Sequence, residues 1–148
     1  LVSKYKWLGK HKKLEEYPAP MNVIMRINLK LRVDMFRKNA SAVKLLEKII
    51  EEFARYGKEK NFIPVFLLMP QKDDLLLARK KKKIYYEELI NHLQNKMFAI
   101  DLTKYLVSRK DLDKIYSDDN QYGGHYSKFG NKLIAKIIYK HLKKIGGI

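Results

Sequence analysis

Histidine 125 sits in the segment Tyr122–Leu142, YGGHYSKFGNKLIAKIIYKHL, just after Gly123 and Gly124 and shortly before a strongly periodic helical pattern. An imidazole there has the chemistry of a general base. Its ordinary pKa lets it take up and return a proton near neutral pH. The paired glycines permit backbone angles and a close substrate approach that a side chain would block, so Gly124 is a candidate substrate contact. Asp118 and Asp119 lie upstream and supply carboxylates that could orient the ring, as the third member of a triad does. The plainer reading is a capping histidine in a loop whose glycines only make a turn. His11, His92 and His141 have no chemical partner suggested by spacing.

Two further sets of residues fall where chemistry collects. In open α/β sheets, sites form beyond the carboxyl ends of the strands. "QKDD", Gln71–Asp74, follows one apolar run, and Asp101 closes another. Gln71 is a candidate pocket residue. Asp73 and Asp74 could hold a cation, although carboxylates in a first helical turn also answer the positive end of the helix dipole. Asp101 reads as a helix cap. No histidine or carboxylate spacing makes a metal site, and no glycine-rich phosphate loop is present. No cofactor and no metal are expected.

The elements that must position these residues are legible from Ser41 onward. Ala42, Leu45, Leu46, Ile49, Ile50 and Phe53 mark one helix face, with Ser41 as its expected N-cap and Gly57 as its terminator. "FIPVFLLMP" is apolar on both faces, the habit of a central parallel strand. "QKDDLLLARKKKKIYYEELINHLQNK" carries a second helical face through Tyr85, Tyr86, Leu89, Ile90 and Leu93. "MFAIDL" is a second strand, "TKYLVSRKDLDKIY" a helix or two helical turns. A final helix buries Leu133, Ile134, Ile137, Ile138, Leu142 and Ile145. Strands alternating with helices imply an α/β fold, a parallel sheet flanked by helices. Residues 1–40 are the least legible and read as a connector or insertion. "YPAPMN" looks like a turn or extended connector, "VIMRINLKLRVDMF" fits strand or helix, and a third strand could lie around "YKWL". Residues 41–148 form the remainder of a single domain.

Composition narrows the classes. The chain has 148 residues, 46% of them hydrophobic, enough for a core. It has no cysteine, which removes disulfides, thiolate metal sites and cysteine nucleophiles and leaves the compartment open. No apolar run approaches the roughly 20 residues needed to span a bilayer, and no signal-peptide pattern opens the chain. It begins with Leu1 rather than Met, which reads as a fragment or a processed chain. The 32 Lys and Arg against 16 Asp and Glu give a net charge of +16, suited to a polyanion; equally, lysines such as those in "NKLIAKIIYKHLKKI" read as the polar side of amphipathic helices. "ARKKKKIYY" mixes cations and aromatics, but consecutive lysines go round a helix rather than along one face. Nucleic acid is disfavoured as a partner on that run.

The segment "GGHYSKFGNKLIAKIIYKHL" resembles the last conserved block of the SGNH (GDSL-like) hydrolases. In that superfamily a His precedes an xSxxG turn, then Asn or His and a helix. The matching residues are His125, Ser127, Gly130, Asn131 and the helix from Lys132. The order strand, helix, strand, helix is also similar to the second half of that flavodoxin-like fold, so the sheet is expected to be incomplete at its N-terminus. The resemblance implies a serine esterase or O-acyl hydrolase or transferase, with O-acetyl carbohydrates among its substrates and His125 as general base. The family carries its Asp three residues before the His; that position is Tyr122, which leaves Asp119 and Asp118 as the nearest acids. The family's Gly-Asp-Ser nucleophile and its Gly-x-Asn-Asp oxyanion motif have no counterpart in this sequence, and Ser3, Ser41, Ser108, Ser117 and Ser127 lack that context. The rival reading is a non-catalytic basic α/β module that binds nucleic acid or another polyanion. For an acylated substrate the basic surface favours an anionic glycan; binding isotherms with matched anionic and neutral glycans should show a preference for the anionic polymer, and equal affinity removes the idea.

Overall fold

The computed structural model describes residues 19–117 and 125–146, with side chains in the first helix from Ile27 onward. The elements run α1 (Ala19–Lys38), α2 (Ala40–Glu59), β1 (Val65–Leu68), α3 (Lys72–Lys81), α4 (Glu87–Gln94), β2 (Phe98–Asp101), α5 (Thr103–Leu106), α6 (Leu112–Ile115) and α7 (Lys128–Lys144). Strands β1 and β2 pair in parallel, Val65 opposite Phe98 through Leu68 opposite Asp101. The chain is mixed α/β, with a small parallel sheet flanked by helices.

Helices cover both faces of the sheet, as alternation along the strands requires. Val65, Leu67 and Ile100 point into a core built with Leu75, Leu102, Leu106, Leu112, Ile115 and Ile134 from α3, α5, α6 and α7. Phe66 and Ala99 point the other way, against Ile50, Leu89 and Leu93 of α2 and α4 and Phe36 of α1. Parallel strands need this double cover because their connecting helices return across the sheet faces.

Several expectations are corrected. The segment before Asn39 is not merely a connector: residues 19–38 form α1, and "VIMRINLKLRVDMF" is helical. Pro20 sits in the first turn of α1, where its missing N–H costs no helical hydrogen bond. The strand expected around "YKWL" falls outside the described residues. The cap of α2 is Asn39, not Ser41; its Oδ1 accepts the Ala42 N–H at 3.0 Å. Gly57 lies inside α2 and is buried. There a Cβ would come within 2.8 Å of the Pro64 ring, so the glycine permits close packing rather than ending the helix. The chain turns after α2 at Asn61, with φ at 57°. The strand in "FIPVFLLMP" is only Val65–Leu68 and half-buried, while Phe62 and Ile63 are exposed outside it. Among the described residues its second edge has no strand partner. The one helix read in "QKDDLLLARKKKKIYYEELINHLQNK" is two: Lys82 adopts φ 51° after α3, and Tyr85 and Tyr86 lie in the turn before α4, while Tyr86, Leu89, Ile90 and Leu93 of the expected face are buried.

The junction between α6 and α7 hangs on Gly130. Its backbone in the first turn of α7 lies so close to α6 that a Cβ would stand 2.0 Å from the Ile115 carbonyl oxygen. Gly130→Ala gains about 1 kcal/mol in helix propensity, but the obstruction is backbone and cannot rotate away, so overpacking of about 3 kcal/mol prevails. A urea denaturation midpoint lowered by the corresponding net of about 2 kcal/mol is expected, and an unchanged midpoint contradicts the close approach.

Candidate functional site

The rim at the carboxyl ends of β1 and β2 is organised around one backbone atom. Pro70, buried just beyond β1, presents a carbonyl that the Tyr116 hydroxyl donates to at 2.7 Å and the Tyr126 hydroxyl at 2.5 Å. The two rings stack with centroids 4.8 Å apart. Tyr116 ends α6 and Tyr126 precedes α7, and the two residues form an antiparallel bridge. Around that bridge the Ser117 N–H donates to the His125 carbonyl at 3.0 Å, and the Ser127 N–H to the Ile115 carbonyl at 2.8 Å. His125 therefore stands on a backbone clamp joining α6, α7 and the end of β1.

Ser127 is spent on this architecture. Its Oγ accepts the Gly130 N–H at 3.0 Å as the N-cap of α7 and donates to the Lys114 carbonyl. Capping satisfies an N–H that the first helical turn leaves without a partner. The His125 side chain is exposed, and among the described residues no serine hydroxyl and no carboxylate is hydrogen-bonded to it. Asp118, Asp119 and Gly124, expected as acid partners and substrate contact, lie outside the described residues.

The "QKDD" residues are at the rim, as their position after the strand requires, and both carboxylates are engaged within the fold. Gln71 precedes α3, and its N–H donates to Asp74 Oδ2 at 2.9 Å. Asp74 is buried and also accepts the Tyr85 hydroxyl at 2.9 Å. Arg32 of α1 supplies the cation that the sequence left open: its Nη2 lies 2.7 Å from Asp73 Oδ2 and 3.3 Å from Asp74 Oδ1. Burial pushes the Asp73 carboxyl above its ordinary range, outweighing the attraction of Arg32, with the Asp74 charge acting in the same direction as burial. Arg32 Nε and Nη1 and Asp73 Oδ1 are buried with no partner among the described residues. No cluster of His, Asp and Glu able to hold a metal ion is present among the described residues. Asp101 is buried at the end of β2 and caps the next turn, its Oδ1 accepting the Thr103 N–H at 2.9 Å. Thr103 Oγ1 in turn lies 2.7 Å from the Tyr86 hydroxyl.

Sequence reasoning missed the tyrosines and Arg32. One signal was available: the dipeptide Tyr-Ser occurs at 116–117 and again at 126–127, on either side of the loop, and a buried tyrosine needs an acceptor. Nothing in the sequence foretold that Arg32 would meet Asp73. No protein-family model, curated protein or solved structure matches this chain.

Burial raises the phenol pKa values of Tyr85, Tyr86, Tyr116 and Tyr126 above the ordinary 10.0. These groups serve as donors and cannot act as bases at neutral pH. A folded-state pKa raised above the unfolded value gives a contribution that is complete below pH 10.0 and is lost as pH rises beyond it. For the buried Tyr86 and Tyr116 the slope is about 1.4 kcal/mol per pH unit each. In an alkaline titration part of the tyrosinate absorbance should therefore appear only together with loss of circular dichroism; ionisation of all tyrosines before unfolding contradicts the buried clamp.

Proposed function

We propose that this chain is the carboxyl-terminal part of an SGNH-type serine esterase, an O-acyl hydrolase or transferase, with His125 as its general base. The observation that carries the reading is the double hydrogen bond to Pro70. Through Tyr126 it ties the loop base bearing an exposed imidazole to the carboxyl end of a parallel strand, where α/β sheets assemble their sites. The helical cover on both sheet faces supports the same reading. So does the edge of β1 that has no strand partner among the described residues, to which a further parallel strand can add.

The chemistry follows from those positions. A serine hydroxyl supplied from beyond the described residues attacks the acyl carbon while His125 takes its proton. Donors around the carbonyl oxygen stabilise the tetrahedral oxyanion. Collapse transfers the proton from His125 to the leaving alcohol, and water, or an acceptor alcohol in a transferase, repeats the sequence on the acyl-enzyme. Asp118 and Asp119 are the acids available to orient the ring. O-Acetyl carbohydrates are the substrate class this reading favours.

The test uses the native polypeptide that contains this chain. Hydrolysis of p-nitrophenyl acetate should fall by about a hundredfold to ten-thousandfold in kcat on His125→Ala, the range for loss of a general base. His92→Ala, far from the rim, should leave it unchanged. Turnover that does not depend on His125, or a native polypeptide without any ester hydrolysis, overturns the proposal.

A further inference from the structure

Helix α7 carries Lys128, Lys132, Lys136, Lys140, Lys143 and Lys144 and no acidic residue. All these lysines are exposed. The first four and Lys144 recur at every fourth position, a rise of about 6 Å per step. Like charges at that spacing repel along a helix by roughly 0.2–0.5 kcal/mol per pair. The contrast with α2 is internal to the molecule. There Arg55 pairs with Glu52 and Glu59, and Glu51 with Lys96. No lysine of α7 has an ion pair among the described residues. A face that only needed solvation would interleave acids, as α2 does.

The same face carries aromatic rings. Phe129 is 48% and Tyr139 51% exposed, with Tyr139 a turn away from both Lys136 and Lys143. Beside it an open groove of about 780 Å³ separates α7 from α5, lined by Tyr105, Lys136, Tyr139, Lys140, Lys143 and Lys144. The Tyr105 ring, 43% exposed, is held by its hydroxyl 2.7 Å from His141 Nε2. The lining contains no Asp, Glu, Asn or Gln. Those are the side chains that read sugar hydroxyls, so a polysaccharide would find charge there but few groups to orient it. Lysines spaced along a backbone track, with rings exposed beside them, are what a phosphate chain with flat bases engages.

We propose that the α5–α7 groove binds single-stranded nucleic acid, its lysines pairing with phosphates and Tyr139 and Tyr105 stacking on bases. This activity stands apart from the esterase reading and from the Lys80–Lys83 run, whose side chains go round the end of α3.

Fluorescence anisotropy with a labelled oligothymidylate tests it on the native polypeptide that contains this chain. Neutralising four phosphates predicts a slope of log affinity against log salt of about −3. Combined Lys136→Gln, Lys140→Gln, Lys143→Gln and Lys144→Gln should abolish most of that slope; these changes relieve repulsion in α7, so folding is not threatened. Tyr139→Ala should weaken binding about tenfold with the slope unchanged. Combined glutamine substitution of Lys80–Lys83 is the charge-matched control and should retain the slope. The proposal is overturned if the control loses as much affinity as the groove variant, if Tyr139→Ala has no effect, if a sulfated glycan or anionic vesicles bind as tightly as the oligonucleotide, or if no binding appears at low salt.

Discussion

The carbonyl of Pro70 is the point on which the rim depends. A strand that ends at a proline and passes directly into a helix leaves a buried acceptor, and a buried acceptor without a donor costs about 1–3 kcal/mol. Two phenol hydroxyls meet it, from Tyr116 and Tyr126. Both rings are then committed to one place, and their stacking brings the end of α6 to the start of α7. The backbone pairs from Ser117 to His125 and from Ser127 to Ile115 follow from that arrangement. So does the approach of Gly130 to Ile115, which only a residue without a side chain allows. The position of His125 is thus a consequence of satisfying one carbonyl.

The parts of the molecule that were legible in the sequence are those governed by local periodicity. The parallel strands within "FIPVFLLMP" and "MFAIDL", the short turns after Asp101 and the long final helix follow from runs and spacings that span a few residues. The misreadings share a cause. Gly57 looked like a terminator because glycine often ends helices, but a contact with Pro64 governs it. Ser41 looked like a cap because it precedes the apolar face, but Asn39 had the better reach. The break at Lys82 depends on a left-handed residue that lysine seldom adopts, which no propensity announces.

At the rim, positions were readable and partners were not. The carboxylates of "QKDD" lie beyond β1 and Asp101 closes β2, as the topology demands. Their roles were set by Arg32, 41 residues away in sequence from Asp73, and by backbone donors in the turns they cap. Carboxylates that looked available are thereby occupied, and His125 remains exposed. The division has an electrostatic logic: among the described residues, carboxylates near the sheet meet a guanidinium or N–H donors, as burial of charge requires, while α7 carries its positive charge on an exposed surface.

The separation along the chain between Pro70 and Tyr126, 56 residues, has a consequence for biosynthesis. Strands β1 and β2 and the helices between them contain their own pairing and much of their own core, so they can organise while the remainder is still being translated. The rim cannot. Until Tyr126 emerges from the ribosome, the Pro70 carbonyl lacks half of its donors, and until α7 follows, Ile134 leaves the core beneath the rim open. A nascent chain stalled before that point would hold a sheet with neither an anchored imidazole nor a closed core, the kind of surface that chaperones recognise.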